Sequence, residues 1–278
     1  MALEGKKTDY ILESDNEMSR LSNQHEVIKD AMGGLLQMPI DYSKGPLRIL
    51  DSGTADGFWI QDLASSIPAG DHEFIGTDVN PSVFPKSPPP GQTYQVQDIN
   101  KPWPATWHNY FDIVHQRLTL VGAGQHGQAV VSNLAELVKP GGWIQLIEGE
   151  NMIDEKDGPA MHDFLKLMKD TFTLMGANIH FARDMAGWLK AVGFEDVQDR
   201  LFDSYLGATN KDPKLAQHGV ISSSVGCAGL VEFAKTLPSG PPSLSKEELD
   251  TLGPRLRAEL TERGGNYPLR VVWGRKPL

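Results

Sequence analysis

Three aspartates follow short apolar runs in the first hundred residues of the chain. Asp51 opens a turn at residues 51–57, Asp78 comes later along the chain, and Asp98 ends a further run. A carboxylate at Asp78 can accept both hydroxyl groups of a ribose through its two oxygens. One at Asp98 can accept from an adenine amino group while Ile99 packs on the ring. Each acid taken alone is an ordinary loop aspartate, but together they predict a nucleoside site.

The turn at residues 51–57 has the pattern D-x-G-x-x-x-G. Gly53 and Gly57 let the backbone pass close to a ligand, and the helix that follows offers free amides to a negative group. The pattern is not the G-x-G-x-x-G dinucleotide fingerprint, and it lacks the Lys-Ser/Thr pair of a phosphate-binding P-loop. A carboxylate ligand therefore suits the turn better than a pyrophosphate. An ordinary strand-to-helix connection is the alternative for this motif taken alone.

Two histidines are the predicted catalytic residues. His115 ends an apolar run, where an imidazole can take a proton from an acceptor near neutral pH; the alternative is a packed ring bonded to backbone. In the N-terminal segment, His25 and Tyr10 can hold cofactor or substrate, or they are helix surface and cap packing. Arg20 can pair with a carboxylate as a planar fork, or it is an exposed helical side chain.

Other polar residues give weaker signals. Glu148 and Glu150 follow a predicted strand and either shape an acceptor pocket or are solvated loop charges, and His126 lies in a glycine-containing loop. H-E-x-x-H, cysteine-rich zinc spacings and G-x-S-x-G are all missing from the sequence, so metal hydrolase and serine esterase chemistry lack support. We expect no metal site.

Strands alternating with helices surround these residues. Short apolar runs predict strands at 47–50, 73–78, 94–96, 111–115, 143–148, 193–201 and 269–274, and helical spacing predicts helices at 14–38, 58–66, 128–138, 157–175, 183–192 and 246–263. Such alternation predicts a mainly parallel sheet covered on both faces, with ligands at the carboxyl ends of its strands. Five prolines within residues 81–92 predict that the helix after the second strand is short or absent.

Composition narrows the class of protein. Lys plus Arg number 26 against 36 Asp plus Glu in 278 residues, a formal charge of -10, which argues against a surface built mainly for nucleic acid or anionic membrane. The single cysteine, Cys227, cannot form an internal disulfide, the N-terminus has no apolar signal core, and no run is long enough to span a bilayer. We expect a reducing, cytoplasmic location.

Five motifs occur in one order along the chain. They are I-L-D-S-G-T-A-D-G at residues 49–57, G-T-D at 76–78, D-I at 98–99, F-D-I-V-H at 111–115 and L-V-K-P-G-G-W at 137–143. This set resembles the class I S-adenosylmethionine (SAM)-dependent methyltransferases. Tyr10 with E-M-S-R-L-S-N-Q-H at 17–25, and V-H-Q-R at 114–117, are similar to segments of the fungal secondary-metabolism methyltransferases called LaeA-like or TAM-domain proteins.

The resemblance implies a fold and a division of the chain. The expected fold is α/β and Rossmann-like, with a seven-stranded, mostly parallel sheet, helices on both faces and a helical cap. Residues 1–45 would form the N-terminal cap. Residues 46–278 would form the SAM-binding domain, with further cap elements from about 155–190 and 205–265.

The resemblance also implies a cofactor site for SAM across the ends of strands one, two and four. Its expected residues are Tyr10, Arg20, Asp51, Gly53, Thr54, Gly57, Asp78, Val79, Asp98, Ile99 and His115. Family members usually carry glycine where Ala55 or Asp56 stands here, so the turn has more side chain than usual.

The function implied by the resemblance is SAM-dependent methyl transfer to an oxygen, nitrogen or sulfur atom of a small molecule in secondary metabolism. Two alternatives stay open: a SAM-binding enzyme that catalyses a rearrangement or cyclisation without methyl transfer, and a regulatory protein of the LaeA-like group. The predicted partner is a small-molecule substrate, with neither nucleic acid nor membrane, and a homodimer is left open.

Overall fold

The protein is described by a computed structural model that covers residues 15–237 and 241–278. Its strands are β1 (Arg48–Ser52), β2 (Glu73–Asp78), β3 (Gln92–Val96), β4 (Phe111–Arg117), β5 (Val138–Gly149), β6 (Glu195–Phe202), β7 (Tyr205–Leu206), β8 (Gly265–Asn266) and β9 (Leu269–Arg275). Seven of them form one sheet in the order β3-β2-β1-β4-β5-β9-β6, and β7 pairs with β8. Only β9 runs antiparallel to its neighbours in that sheet. The predicted seven-stranded, mostly parallel sheet is confirmed.

The helices are α1 (Asp15–Met32), α2 (Phe58–Ser66), α3 (Gly127–Leu137), α4 (Pro159–Leu174), α5 (Met185–Ala191), α6 (Pro213–Lys235) and α7 (Lys246–Glu262). Helix α1 ends earlier than predicted because Gly33 adopts a φ of 68° and breaks the helical backbone. Only a single 3-10 turn, Pro81–Val83, stands in the proline-rich stretch after β2, as the prolines require. Helix α6 was not predicted, since its residues 218–230 are rich in serine and glycine, which have low helix propensity.

The chain divides into two compact units. Among the described residues, one consists of residues 15–27, 153–171, 205–237 and 241–266; the other consists of residues 28–152, 172–204 and 267–278. The first unit holds most of α1 and α4 together with α6, α7 and the β7–β8 pair. The second holds the seven-stranded sheet. In the part of the chain that the structure describes, no helix combines the length and apolar character needed to cross a membrane.

The sheet carries a different hydrophobic core on each face. On one face, Leu50 and Val114 are fully buried and belong to a cluster with residues of α3 and α5. On the other, Ile49 and Ile113 pack in a cluster with Trp59 of α2. We call these the α3 face and the α2 face. Alternation of side chains along each strand therefore decides which helix covers a residue.

A row of polar residues crosses the α2 face near the carboxyl ends of the strands. Asp51 of β1 pairs in register with Gly76 of β2 and with His115 of β4. His115 in turn pairs with Gln145 of β5, and Gly76 pairs with Tyr94 of β3. Residues directly paired in neighbouring strands point to the same face, so all these side chains lie beneath the α2 layer.

Gln145 fastens the segment after α1 to the sheet. Its Oε1 accepts from the backbone N of Gln37 at 2.8 Å, its Nε2 donates to the carbonyl of Leu35 at 2.8 Å, and the residue is 0% exposed. We predict that Gln145→Ala lowers the free energy of unfolding by about 2–4 kcal/mol, because two backbone groups lose their partner in the interior. Urea titration followed by circular dichroism measures it.

Gln198→Ala is the matched control, because Gln198 lies farther along the same register row and is exposed. A change within about 0.5 kcal/mol is expected there. Equal losses in the two variants would contradict the role given to Gln145.

Candidate functional site

The turn after β1 is fastened to the end of β2. The backbone N–H groups of Gly53 and Thr54 both donate to the carbonyl of Thr77 at 2.8 Å, and the N–H of Ala55 donates to Asp78 Oδ2 at 3.0 Å. Ala55 has a φ of 48°, the left-handed region that an alanine rarely enters. The unusual alanine in this motif thus keeps a glycine-like backbone, and the shape of the turn is preserved despite the extra methyl group.

Neighbouring side chains explain why the turn needs glycine at two positions. Gly53 and Gly57 have φ values of 73° and 74°. A Cβ added at Gly53 would overlap the side chain of Thr119, and one added at Gly57 would overlap the ring of Tyr94. The sequence alone suggests the approach of a ligand as the reason for these glycines. In the structure, the protein's own Thr119 and Tyr94 also occupy the space that a side chain would need.

Asp51 is enclosed by hydrogen bonds rather than presented to solvent. It is 3% exposed; its Oδ1 accepts from His115 Nδ1 at 2.7 Å and its Oδ2 accepts from the Thr54 hydroxyl at 2.7 Å. Burial lowers the pKa of His115 although the Asp51 carboxylate opposes the effect. The His115 ring is therefore neutral near pH 7, with its proton on Nδ1 facing Asp51.

One face of the His115 ring is covered by Trp59. The two rings are stacked with centroids 3.8 Å apart and an interplanar angle of 1°. His115 is 1% exposed, and its Nε2 has no hydrogen-bond partner among the described residues. The packed ring bonded to a neighbour, one of the two alternatives raised by the sequence, describes this geometry; the bond goes to a carboxylate instead of to backbone.

The end of β2 presents one buried acid and one exposed apolar side chain. Asp78 is 6% exposed, and Oδ1 accepts from the N–H of Asn80 at 3.0 Å in addition to the Ala55 bond. Burial raises the pKa of Asp78, while the amides of Asn80 and Ala55 act against it. Val79, the next residue, is 51% exposed. The strand end therefore offers a fixed carboxylate beside an uncovered apolar surface.

The third acidic position lies after β3. Asp98 is half-buried, its Oδ1 accepts from the N–H of Asn100 at 2.8 Å, and Ile99 is 7% exposed. Because β2 and β3 are paired up to Asp78 and Val96, Asp98 follows the strand end that neighbours Asp78. The structure thus brings the ends of β1, β2 and β3 together as the sequence order predicted.

The two glutamates at the end of β5, Glu148 within the strand and Glu150 directly after it, are buried, so the alternative of solvated loop charges is wrong for both. Glu148 is 4% exposed and its Oε1 accepts from the N–H groups of Thr119 at 3.0 Å and Leu120 at 2.8 Å. Burial raises the pKa of Glu148 to about 7, against the effect of those amides. The sequence could not foresee this, because the two amides lie 28 and 29 positions away along the chain.

Glu150 is 3% exposed and belongs to an ion-pair cluster. Arg183 Nε donates to its Oε1, and Arg270 Nε donates to its Oε2 at 2.6 Å. Burial acts to raise the pKa of Glu150, but the two guanidinium groups outweigh it and hold the pKa below its usual value. Glu150 is thus a structural anion at the end of β5.

The predicted site residues on α1, Arg20 and His25, belong to the first compact unit, whereas the sheet belongs to the second. Arg20 donates to both oxygens of Glu17, at 2.6 and 2.7 Å, so its fork is occupied by a neighbouring carboxylate one turn away. His25 is 1% exposed and belongs to the same unit. Tyr10 lies outside the described residues. A cofactor role for these three stays a prediction. His126 is exposed.

Comparison with known proteins identifies the chain. It is 36% identical to N-methyltransferase sirN of Leptosphaeria maculans over 98% of this chain and 96% of that protein. It is 32% identical to N-methyltransferase gliN of Aspergillus fumigatus over 99% of each. The chain belongs to the class I SAM-dependent methyltransferases. No family model matches it.

Solved methyltransferases share the fold of this methyltransferase. The complex between the Haloferax volcanii Trm112 methyltransferase activator and a methyltransferase aligns over 96% of this chain and 100% of that one, with a TM-score of 0.53 and 12% identity. Haemonchus contortus phosphoethanolamine N-methyltransferase 2 in complex with SAM has a TM-score of 0.50 and 18% identity. This second alignment covers 93% of this chain and 53% of the Haemonchus protein, so the chain spans about half the length of that protein. At these identities the likeness concerns the fold alone.

The close packing of Gly57 against Tyr94 gives a stability prediction for the methyltransferase turn. We expect Gly57→Ala to lower the free energy of unfolding by about 3 kcal/mol or more, through both backbone strain and overlap with the ring. Gly33→Ala is the matched control, because Gly33 has a φ of 68° with no heavy atom within 4 Å of an added Cβ. It should cost about 1–2 kcal/mol, the strain alone. Equal losses in chemical denaturation would contradict the packing argument.

Burial of Glu148 gives a pH-dependent prediction. A carboxyl whose pKa is about 7 when folded and 4.5 when unfolded contributes stability below pH 4.5 that is lost as the pH rises through 7. Glu148→Gln does not titrate. The free energy of unfolding of Glu148→Gln minus that of the parent should therefore increase by up to about 3 kcal/mol from about pH 5 to pH 8. Urea titrations at both pH values measure this difference, and no change with pH would disprove the buried titration.

Proposed function

We propose that this methyltransferase binds SAM at the carboxyl ends of β1, β2 and β4 and transfers the methyl group to a nitrogen atom of a small molecule. Four curated relatives, at 31–36% identity, carry N-methyltransferase in their names. This supports nitrogen over oxygen or sulfur as the acceptor atom. A secondary metabolite is the substrate class that agrees with the sequence resemblance to fungal secondary-metabolism methyltransferases.

The exposure of Val79 carries the proposal for the cofactor site. Val79 is 51% exposed and directly follows Asp78, and Asp98 follows the paired end of β3, so an uncovered apolar side chain lies at strand ends that also hold two acids. An adenine ring needs such a surface, and a ribose and an amino group need such acceptors. The residues therefore fit an adenosine group in their apolar and acceptor chemistry.

Asp78 keeps acceptor capacity in spite of its backbone bonds. Each carboxylate oxygen has two lone pairs and here accepts one backbone N–H, from Ala55 or from Asn80. With four lone-pair sites in total, the carboxylate has acceptor capacity for a ribose hydroxyl besides its backbone bonds. The same backbone bonds hold the carboxylate in one orientation, so that little side-chain entropy is lost when the ribose binds.

Bound SAM supplies an electrophilic methyl group on a sulfonium, so the protein has to align the acceptor and exclude water. Within the sheet unit, we assign the shape of the turn to Asp51 and His115. His115 donates to Asp51 and is stacked under Trp59, so we assign its ring to the support of the turn, and a role in proton transfer stays a prediction. His115 thereby becomes a positioning residue in this proposal, and a catalytic role for His25 also stays a prediction.

Val79→Asp tests the cofactor site without disturbing the core. A charge on this half-exposed surface should oppose an adenine ring, and we expect the dissociation constant for SAM and for S-adenosylhomocysteine to rise at least about ten-fold, which corresponds to ~1.4 kcal/mol. Isothermal titration calorimetry measures both ligands. Val192→Asp is the control, since Val192 is 39% exposed and follows α5.

The two variants should keep the parent's melting temperature, since both side chains are partly solvated. Loss of affinity in Val79→Asp with parent-like binding in Val192→Asp supports the site. Parent-like binding in both would place the adenosine elsewhere, and absence of SAM binding by the parent would overturn the proposed function. Mass spectrometry of amine and amide acceptors incubated with SAM then distinguishes methyl transfer, which adds one methylene equivalent, from rearrangement, which adds nothing.

A further inference from the structure

The loop that follows β4 adopts a backbone conformation that needs outside support. Leu118, the first residue after the strand, has a φ of 51°, a left-handed conformation that is unfavourable for a leucine. Its N–H donates to the carbonyl of Ile147 in β5 at 2.8 Å. The next two N–H groups, those of Thr119 and Leu120, point together at one oxygen of Glu148. Consecutive amides that converge in this way form a small anion-binding concavity.

Glu148 fills that concavity from the neighbouring strand. A single oxygen, Oε1, accepts both N–H groups, and the side chain is buried on the α3 face of the sheet. Hydrogen bonds from amides to an ionised carboxylate are about twice as strong as those to a neutral acceptor. The two bonds from the loop to Glu148 are therefore stronger when its carboxylate is ionised.

The loop in turn contacts the turn after β1. The Thr119 side chain occupies the space beside Gly53 where a Cβ would stand, and its hydroxyl donates to the carbonyl of Arg117 at 2.9 Å. Movement of Thr119 would thus alter the packing on Gly53. A continuous set of contacts leads from Glu148 through Thr119 to the turn assigned to SAM.

We propose that Glu148 is a positioning residue, whose ionised carboxylate holds Thr119 against Gly53 and so sets the affinity of the turn for SAM. This inference rests on the proposed function, because it assumes that the turn holds SAM. Glu148 itself does not touch the cofactor or the acceptor. Protonation of Glu148 weakens its two bonds to the loop and lowers the affinity for SAM as the pH falls below 7.

The surroundings of Glu148 make it the group that titrates. Among the described residues that face it, Tyr267 is the titratable neighbour, and burial raises the pKa of that phenol, so Tyr267 stays neutral over this range. Glu150, which directly follows β5 and lies two positions after Glu148, is held as an anion by Arg183 and Arg270. Burial raises the pKa of Glu148 to about 7, which places its change of charge within the range at which binding can be measured.

The loop can be observed without any ligand. In nitrogen-15 spectra of the parent, the amide signals of Thr119 and Leu120 should shift with a midpoint near pH 7, and in Glu148→Gln this titration should be lost. Glu195→Gln, an exposed glutamate on β6, is the matched control and should retain it. Titration of both amides in Glu148→Gln as in the parent would overturn the proposal irrespective of SAM.

The effect on the cofactor is measured by calorimetry with SAM at about pH 6 and about pH 8. The parent should bind about five- to ten-fold more tightly at the higher pH, the difference between a charge-assisted and a neutral pair of hydrogen bonds. Glu148→Gln should show the weaker affinity at both pH values, and Glu195→Gln should follow the parent. A parent-like affinity of Glu148→Gln at about pH 8 would overturn the proposal.

A double-variant comparison tests the route through Thr119. If Glu148 acts by holding Thr119, then Glu148→Gln should add little to the loss caused by Thr119→Ala, whereas additive losses would show that the two act separately and would overturn the route. The melting temperature of Glu148→Gln at about pH 8 should be no lower than that of the parent, which excludes general destabilisation as the cause. If neither the parent nor any variant binds SAM but the amides of the parent still titrate, the proposed function fails. The contact between Glu148 and the loop is supported in that case.

Discussion

The hydrogen bond between Asp51 and His115 is the constraint on which the carboxyl ends of the central strands depend. It joins β1 to β4 side chain to side chain, at 2.7 Å, where the two strands are already paired in register. A charge this deeply buried is costly unless its oxygens are satisfied, and here His115 and Thr54 satisfy one each. The residue that opens the turn therefore cannot rotate freely, and the turn inherits its orientation from the sheet.

The remainder of the row on the α2 face follows from that bond. His115 donates to Asp51 through Nδ1, and the ring is stacked on Trp59 in the interior, where burial lowers the pKa of His115. Gly76, on the other side of Asp51, leaves space that the ring of Tyr94 fills. The smallest residue of the row thus lies directly beside one of its largest. The same ring then restricts Gly57, so a contact in the sheet specifies a residue of the turn.

The sequence predicted those parts of the protein that depend on local patterns. The sequence predicted strand β2 with the same bounds as the structure has, because an apolar run that ends in Asp78 is a strong local signal for a strand. The order of the motifs at β1, β2 and β4 also predicted the fold family. The alanine at position 55 was recognised as unusual, and its positive φ gives the physical reason why glycine is the usual residue.

What the sequence could not predict depends on which side chain meets which across the sheet. The packing of Thr119 on Gly53 and of Tyr94 on Gly57 joins residues 66 and 37 positions apart, and no local signal in either partner indicates the other. Burial of Glu148 was missed for the same reason. A glutamate at the end of an apolar strand reads as a loop charge unless the amides that will receive it are known.

The two faces of the sheet treat their buried acids differently. On the α2 face, Asp51 is satisfied by side chains, from His115 and Thr54, whose donors are fixed by packing. On the α3 face, Glu148 is satisfied by backbone amides of the loop after β4, which is also held by the bond from Leu118 to Ile147 and by the buried side chain of Leu120. Burial raises the pKa of Glu148 to about 7, whereas the paired acid at the end of the same strand, Glu150, has its pKa lowered by two arginines. A carboxylate without a cation, bound only by a loop, is the arrangement in which a change of charge moves backbone instead of only a side chain.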